Sequence, residues 1–185
     1  MYVTPAMVEA MAARYGRPGE TAFTFPVSAR EHAFIRSSQR FQREHDATMY
    51  IVKDGRIVVI AKHHYPPGLY RAPSGGLHPG ESFEEGIARE AMEETGAALA
   101  LERFLLISRV TFTHTDGDIP WRSYVFQARF ESGDFRFTDT REIREVRLAQ
   151  PAEFETFGRI MRSLEVGGLH YRAALHEAVA PLLIL

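Results

Sequence analysis

The sequence predicts an α/β fold built on a mixed β-sheet. Three observations carry this. Apolar β-rich runs alternate with helical periodicities along a single chain. A "KDG" turn joins two of those runs as a hairpin would. One amphipathic helix, "SFEEGIAREAMEET", is bracketed by start and stop signals. At 185 residues the chain suits one domain, able to bury about 70% of its unfolded surface.

The elements follow in order. In "TPAMVEAMAARYG", Met7, Ala10 and Met11 recur at helical spacing, Thr4 is placed to cap and Pro5 takes the first helical position. A second, polar helical stretch is expected near 28–44. "ATMYIV" and "RIVVIAK" form the hairpin strands, and "HHYPPGLYRAPSGGLHPGE" is a loop dense in glycine and proline. Ser82 with Glu85 three residues on is a capping box, Gly96 suits a left-handed C-cap, and Phe83, Ile87, Ala88 and Ala91 make the apolar stripe. "LERFLLISRVTF" is a strand and "THTDGDIP" a turn. In "WRSYVFQARF", Tyr124, Phe126, Ala128 and Phe130 alternate as in a half-buried strand. "EIREVRLA" is a short strand. Two helices close the chain, one with Phe154, Phe157, Met161 and Leu164 inward, the other with Leu175, Val179 and Leu182. Residues 1–45 are expected to be a helical extension that packs on the domain or in a homodimer, and residues 46–185 to be the domain itself.

Composition narrows the function. The chain has no cysteine, so disulfides, thiolate metal sites and cysteine nucleophiles are excluded. A net charge of −2 gives no general attraction to nucleic acid or anionic membrane. No apolar run reaches the ~18 residues of a membrane span, and the N-terminus does not read as a signal peptide. The expected setting is cytoplasmic. All but two of the 22 basic residues are arginine, which recognises phosphate bidentately and also forms surface ion pairs.

The stretch "REAMEETG" gathers Glu90, Glu93 and Glu94 on one helix. Like charges three and four residues apart cost a helix roughly 0.2–0.5 kcal/mol per pair. An acidic helix face is commonly just solvated. Here a loop with Gly75, Gly76 and Gly80 precedes it, permitting close backbone approach, and runs into a helix N-terminus, which favours phosphate. Hard cations such as Mg²⁺ take carboxylates together with phosphate oxygens, so a cation would relieve the repulsion. Arg89, four residues before Glu93, is placed to orient it. On the substrate side, Arg71 is a candidate phosphate ligand and Trp121, the lone tryptophan, a candidate base-stacking platform. His63 and His64 are adjacent, so they do not share a face for a joint metal site; His114 lies near a turn.

Gly75, Glu81, Arg89-Glu90, Glu93-Glu94 and Gly96, at these spacings, match the Nudix box, and residues 75–97 therefore resemble the signature of the Nudix hydrolase family. Ala91 and Ala97 fill its two loosely hydrophobic positions, and the flanking elements resemble the family fold across roughly 46–165. The resemblance implies an α/β/α sandwich and hydrolysis of a nucleoside diphosphate linked to another moiety X: a nucleotide sugar, an ADP-ribose-like compound or a nucleoside triphosphate. It implies Mg²⁺ or Mn²⁺, with Glu90, Glu93 and Glu94 as ligands, Glu81 as a supporting acid, and a backbone carbonyl near Ser74 or Gly75 completing the shell. Water activated beside the cations would attack phosphorus in line, its proton taken by a carboxylate in the box or by Glu142 or Glu145. Subfamily markers are missing: Thr113 stands where ADP-ribose pyrophosphatases carry proline, Thr115 where dinucleoside polyphosphate hydrolases carry tyrosine, and the upstream coenzyme A pyrophosphatase motif is not evident. Two other functions share the fold. A non-catalytic nucleotide sensor would be expected to lose carboxylates or to carry a DNA-binding domain, and isopentenyl diphosphate isomerase, by family resemblance, uses a cysteine.

Overall fold

The computed structural model describes residues 3–39 and 43–185. Eleven of its helices and strands are α1 (Pro5–Tyr15), β1 (Gly19–Pro26), α2 (Ala29–Ser38), β2 (His45–Lys53), β3 (Arg56–Lys62), β4 (Ser74–Gly75), α3 (Phe83–Thr95), β5 (Ala97–Thr113), β6 (Ile119–Gly133), β7 (Ile143–Ala149) and α4 (Glu153–Ser163). The chain ends with α5 (Gly167–Val179) and a 3₁₀ turn at Ala180–Leu182. The strands form one mixed sheet in the order β1-β5-β6-β2-β3-β7, with β4 paired to β2. β1 runs parallel to β5 and β2 parallel to β6, whereas β5–β6, β2–β3, β2–β4 and β3–β7 are antiparallel. The hairpin turn at Asp54-Gly55 has positive φ at both residues (51° and 70°), the geometry that matches strand twist.

Helices cover both faces, giving the expected sandwich. Met11, Ala12, Phe83, Ile87 and Ala91 of α1 and α3 pack on Met49, Ile51, Phe104 and Phe126. On the opposite face, Phe157, Met161, Tyr171, Leu175 and Val179 of α4 and α5 pack on Tyr50, Val59, Leu105 and Val125. Successive residues of β2 thus enter different cores, as the two-residue period of a strand dictates. No helix among the described residues is long and apolar enough to cross a membrane.

The structure corrects several details of the sequence reading. The N-terminal extension is not wholly helical, because "GETAFTFP" is an edge strand. Its alternating Phe23 and Phe25 lean on the Tyr171 ring, at centroid distances of 6.0 and 6.3 Å. The helix expected near 28–44 is α2, and residues 40–42 of that stretch lie outside the described residues. Ala10 and Ala88 face solvent. β6 is buried on both faces at its centre, since Val125 and Gln127 are covered as well as Tyr124 and Phe126. The signals at α1 and α3 hold: Thr4 accepts from Met7 N–H, Ser82 and Glu85 form the reciprocal capping box, and Gly96 adopts φ 66° at the C-cap.

Candidate active site

Helix α3 places the carboxylates. Phe83, Ile87 and Ala91 form its buried stripe, and the next position on that stripe is Glu94. Glu94 is therefore carried inward, to 4% exposure, while Glu93 stays half-exposed. Glu90 lies between, pressed against the glycine loop. A Cβ on Gly75 would sit 1.9 Å from the Glu90 carboxyl carbon, so a larger residue there would push the Glu90 side chain aside.

Arg89 gathers the outer carboxylates. Its Nε and Nη2 donate to Glu81 at 2.8 and 3.0 Å, its Nη1 to Glu90 at 2.9 Å and to Glu93 at 3.2 Å, and its Nη2 also to the Gly76 carbonyl at 2.9 Å. The bidentate Arg89 contact holds the Glu81 carboxyl down at about 2, against the opposing effect of burial. Desolvation raises Glu90 above the usual carboxylate range despite Arg89. Glu81 thus serves as a brace for Arg89: its oxygens are taken by Arg89 and by the His78 N–H at 2.6 Å.

Glu94 sits in a different environment. Its Oε2 accepts from the Ser74 N–H at 2.8 Å, and its Oε1 lies 3.7 Å from Arg71 Nη2. Burial pushes its carboxyl up to about 7, outweighing the pull of Arg71 and Lys62. Arg71 is itself buried, with Nε donating to Tyr65 Oη (3.1 Å) and Nη1 to Ala72 O (2.8 Å) and Ser74 Oγ (2.9 Å). Arg71, the expected phosphate ligand, is thus bonded through Nε and Nη1 to its own loop, with Nη2 beside Glu94. Behind it stands Arg172 of α5, which donates to Ser74 Oγ and Thr48 Oγ1 at 3.0 Å each and pairs with buried Asp46. Burial alone would raise Asp46, but Arg172 and Ser123 hold it below its usual value.

Other expected residues fall differently. At the α3 N-terminus the capping box occupies the Glu85 N–H, and the Glu84 side chain binds Arg14 and Tyr15 of α1. Glu142 pairs with Lys62, which lowers its carboxyl, and it shares that neighbourhood with Arg71. Glu145 instead accepts from Tyr70 Oη at 2.7 Å, and Tyr70 packs on Phe157 of α4. His63 is bonded to Thr140 O (3.1 Å), and His64 packs edge-on to Tyr65. Trp121 is half-buried, and the Arg43 guanidinium stands 5.8 Å over its ring. The same guanidinium lies where a Gly76 side chain would be, 2.0 Å from an added Cβ. Arg43 and Arg172 escaped the sequence reading. The contacts of Arg43 with Gly76 and Trp121 and of Arg172 with Asp46 are remote along the chain, and only the buried run around Arg172 in α5 hinted that a charge there needs a mate.

Buried oxygen donors with partial compensation, clustered beside a glycine loop, fit a hard divalent cation. Residues 43–164 match the NUDIX domain family. Over 97 residues the chain is 32% identical to an NAD-capped RNA hydrolase NudC of Chromobacterium violaceum, covering 52% of this chain and 34% of that protein. Over 127 residues it is 30% identical to a protein of the same name from Mannheimia succiniciproducens, covering 61% of this chain and 43% of that protein. The matched stretch thus spans less than half the length of these relatives. In fold the chain is similar to a Nudix hydrolase from Nitrosomonas europaea, with a TM-score of 0.54 at 21% identity, covering 72% of this chain and 89% of that one. With its box intact and the family matched over more than half its length, the chain belongs to the Nudix hydrolase family.

Proposed function

We propose that the chain hydrolyses a diphosphate linkage in a nucleoside diphosphate linked to a second moiety, with Mg²⁺ or Mn²⁺ held by Glu90, Glu93 and Glu94. The observation that carries this is the graded set of carboxylates on α3: one clamped at the rim, one against the glycine loop and one buried. A bound cation there would neutralise phosphate charge and polarise phosphorus toward water. The chain's own residues do the rest. Arg89 fixes Glu90 and Glu93 in one orientation, and Ser74 N–H with Arg71 fixes Glu94. Gly75 and Gly76 let the Glu90 carboxyl and the Arg43 guanidinium lie directly against the loop. Glu142, paired with Lys62, and Glu145, bonded to Tyr70, lie outside the ligand set of Glu90, Glu93 and Glu94 and are the candidates to take the proton of the attacking water.

Arg43 and Trp121 are the proposed substrate-side pair. A cation beside Gly76 suits the diphosphate, and the adjacent indole suits a stacked base. The relatives named as NAD-capped RNA hydrolases place a dinucleotide diphosphate, NAD itself or an NAD-bearing RNA end, first among the compounds to try. The reading extends to a cytoplasmic homodimer, for which edge strand β1 offers unpaired backbone. The test is a panel of NAD, ADP-ribose, nucleotide sugars and nucleoside triphosphates with Mg²⁺ and Mn²⁺. Product is expected from at least one. Glu93→Gln and Glu94→Gln should each lower turnover by about 10³-fold or more while leaving the fold intact. No product across the panel, or undiminished turnover in both variants, would overturn the proposal.

A further inference from the structure

We propose that His32, His114 and Asp116 form a second cation site, suited to a borderline divalent ion such as Zn²⁺ and separate from the glutamate cluster. The three come from two places. His32 is buried on α2, and His114 and Asp116 lie in the turn between β5 and β6. One donor atom of each lies within 4.8 Å of the other two. Ligands about 2.0–2.1 Å from a tetrahedral Zn²⁺ stand about 3.4 Å apart, so closure requires a shift of about 1 Å. Asp116, with a side chain 74% exposed, is free to make it.

The hydrogen bonds identify one lone-pair nitrogen on each imidazole. His32 Nε2 lies 2.9 Å from the Gly117 carbonyl, which can only accept, so the proton is on Nε2 and Nδ1 keeps its lone pair. A ring nitrogen donating to a backbone carbonyl is also the usual support for a ligating histidine. His114 Nδ1 accepts the Asp116 N–H at 3.1 Å, so it carries a lone pair, which a bound cation would take over from that N–H. It stands 3.4 Å from Asp116 Oδ2, already the spacing of two tetrahedral ligands. The two rings stack at 4.6 Å between centroids with 26° between planes, which holds the α2 and turn imidazoles face to face. Two neutral imidazoles and one carboxylate prefer Zn²⁺ and its neighbours over Mg²⁺, and three protein ligands leave one position for water. Among the described residues, the hydrogen bonds of the three run to Gly117 and within the turn, away from the α3 carboxylates. Its effect would be to fasten α2 to the β5–β6 turn, where Arg36 Nη2 already donates to the Asp118 carbonyl at 3.3 Å.

The experiment is a calorimetric titration of the full chain with Zn²⁺ in saturating Mg²⁺, repeated with Co²⁺ while recording its visible absorption. One Zn²⁺ per chain is expected, with tetrahedral Co²⁺ bands. Binding should survive Glu93→Gln and weaken at least tenfold in His114→Ala and in Asp116→Asn. Asp116→Asn changes only an exposed side chain and keeps the test decisive should His114→Ala fail to fold. Absence of Zn²⁺ binding, binding that Asp116→Asn leaves unchanged, or binding that Glu93→Gln abolishes would each overturn the site and leave the stacked histidines as packing alone.

Discussion

The glutamate cluster has two halves built on opposite electrostatic terms. At the rim, one arginine, Arg89, binds three carboxylates and a carbonyl with good hydrogen-bond geometry. In the interior, Glu94 meets Arg71 at only 3.7 Å and takes its one close hydrogen bond from a backbone N–H. The rim carboxylate Glu81 is held far below its usual pKa, and the interior carboxylate is held well above it. The difference teaches that the repulsion written into the sequence is relieved on one side only. Arg89 already compensates the rim, so the unmet demand for positive charge is concentrated at Glu94 and Glu90.

The sharpest way to break this contrast is to remove each arginine. Arg71→Ala leaves a buried carboxylate without its countercharge, and stability should fall by about 3–5 kcal/mol. Arg89→Ala exposes a partly hydrated cluster and should cost about 1–2 kcal/mol. Urea unfolding at pH 7.5 without divalent cations measures both. Equal losses would mean that the two halves are not distinct.

Much of this asymmetry was legible beforehand. The stripe Phe83, Ile87, Ala91 extends at helical spacing to Glu94 and already pointed that carboxylate inward. The capping box, Gly96 and the hairpin turn were readable because each is a contact within a few residues. Arg172 and Asp46 were not, since their pairing joins α5 to β2 across 126 residues of sequence. For Arg71, sequence shows that an arginine precedes the loop, but not that the chain buries it. β1 was missed although Thr21, Phe23 and Phe25 alternate, because two flanking helical signals dominated the N-terminus.

The pH dependence sharpens the comparison further. Glu94 has a folded pKa of about 7 against an ordinary value of 4.5. A carboxyl with a raised folded pKa favours folding fully below 4.5, and that contribution is lost as pH rises toward 7. The shift corresponds to about 3 kcal/mol. Glu81 has the opposite sign: its contribution is present above 4.5 and lost as pH falls toward about 2. The metal-free protein should therefore weaken between pH 4.5 and 7, and Glu94→Gln should remove most of that slope. Chemical denaturation across this range decides it, and an unchanged slope in Glu94→Gln would place the strain elsewhere.

The smallest expected effect comes from the cation itself. At ten times its dissociation constant, Mg²⁺ should stabilise the fold by about 1.4 kcal/mol, or a rise in Tm of about 3–6 °C for a chain of this size. The rise should shrink in Glu93→Gln, which keeps the interior carboxylate but loses a rim ligand. It should shrink more in Glu94→Gln, because that variant has already removed the buried charge a cation would compensate. If Glu93→Gln instead suppressed the shift as fully as Glu94→Gln, the cation's stabilising contact would belong to the rim, and the interior carboxylate would draw its countercharge from Arg71 alone.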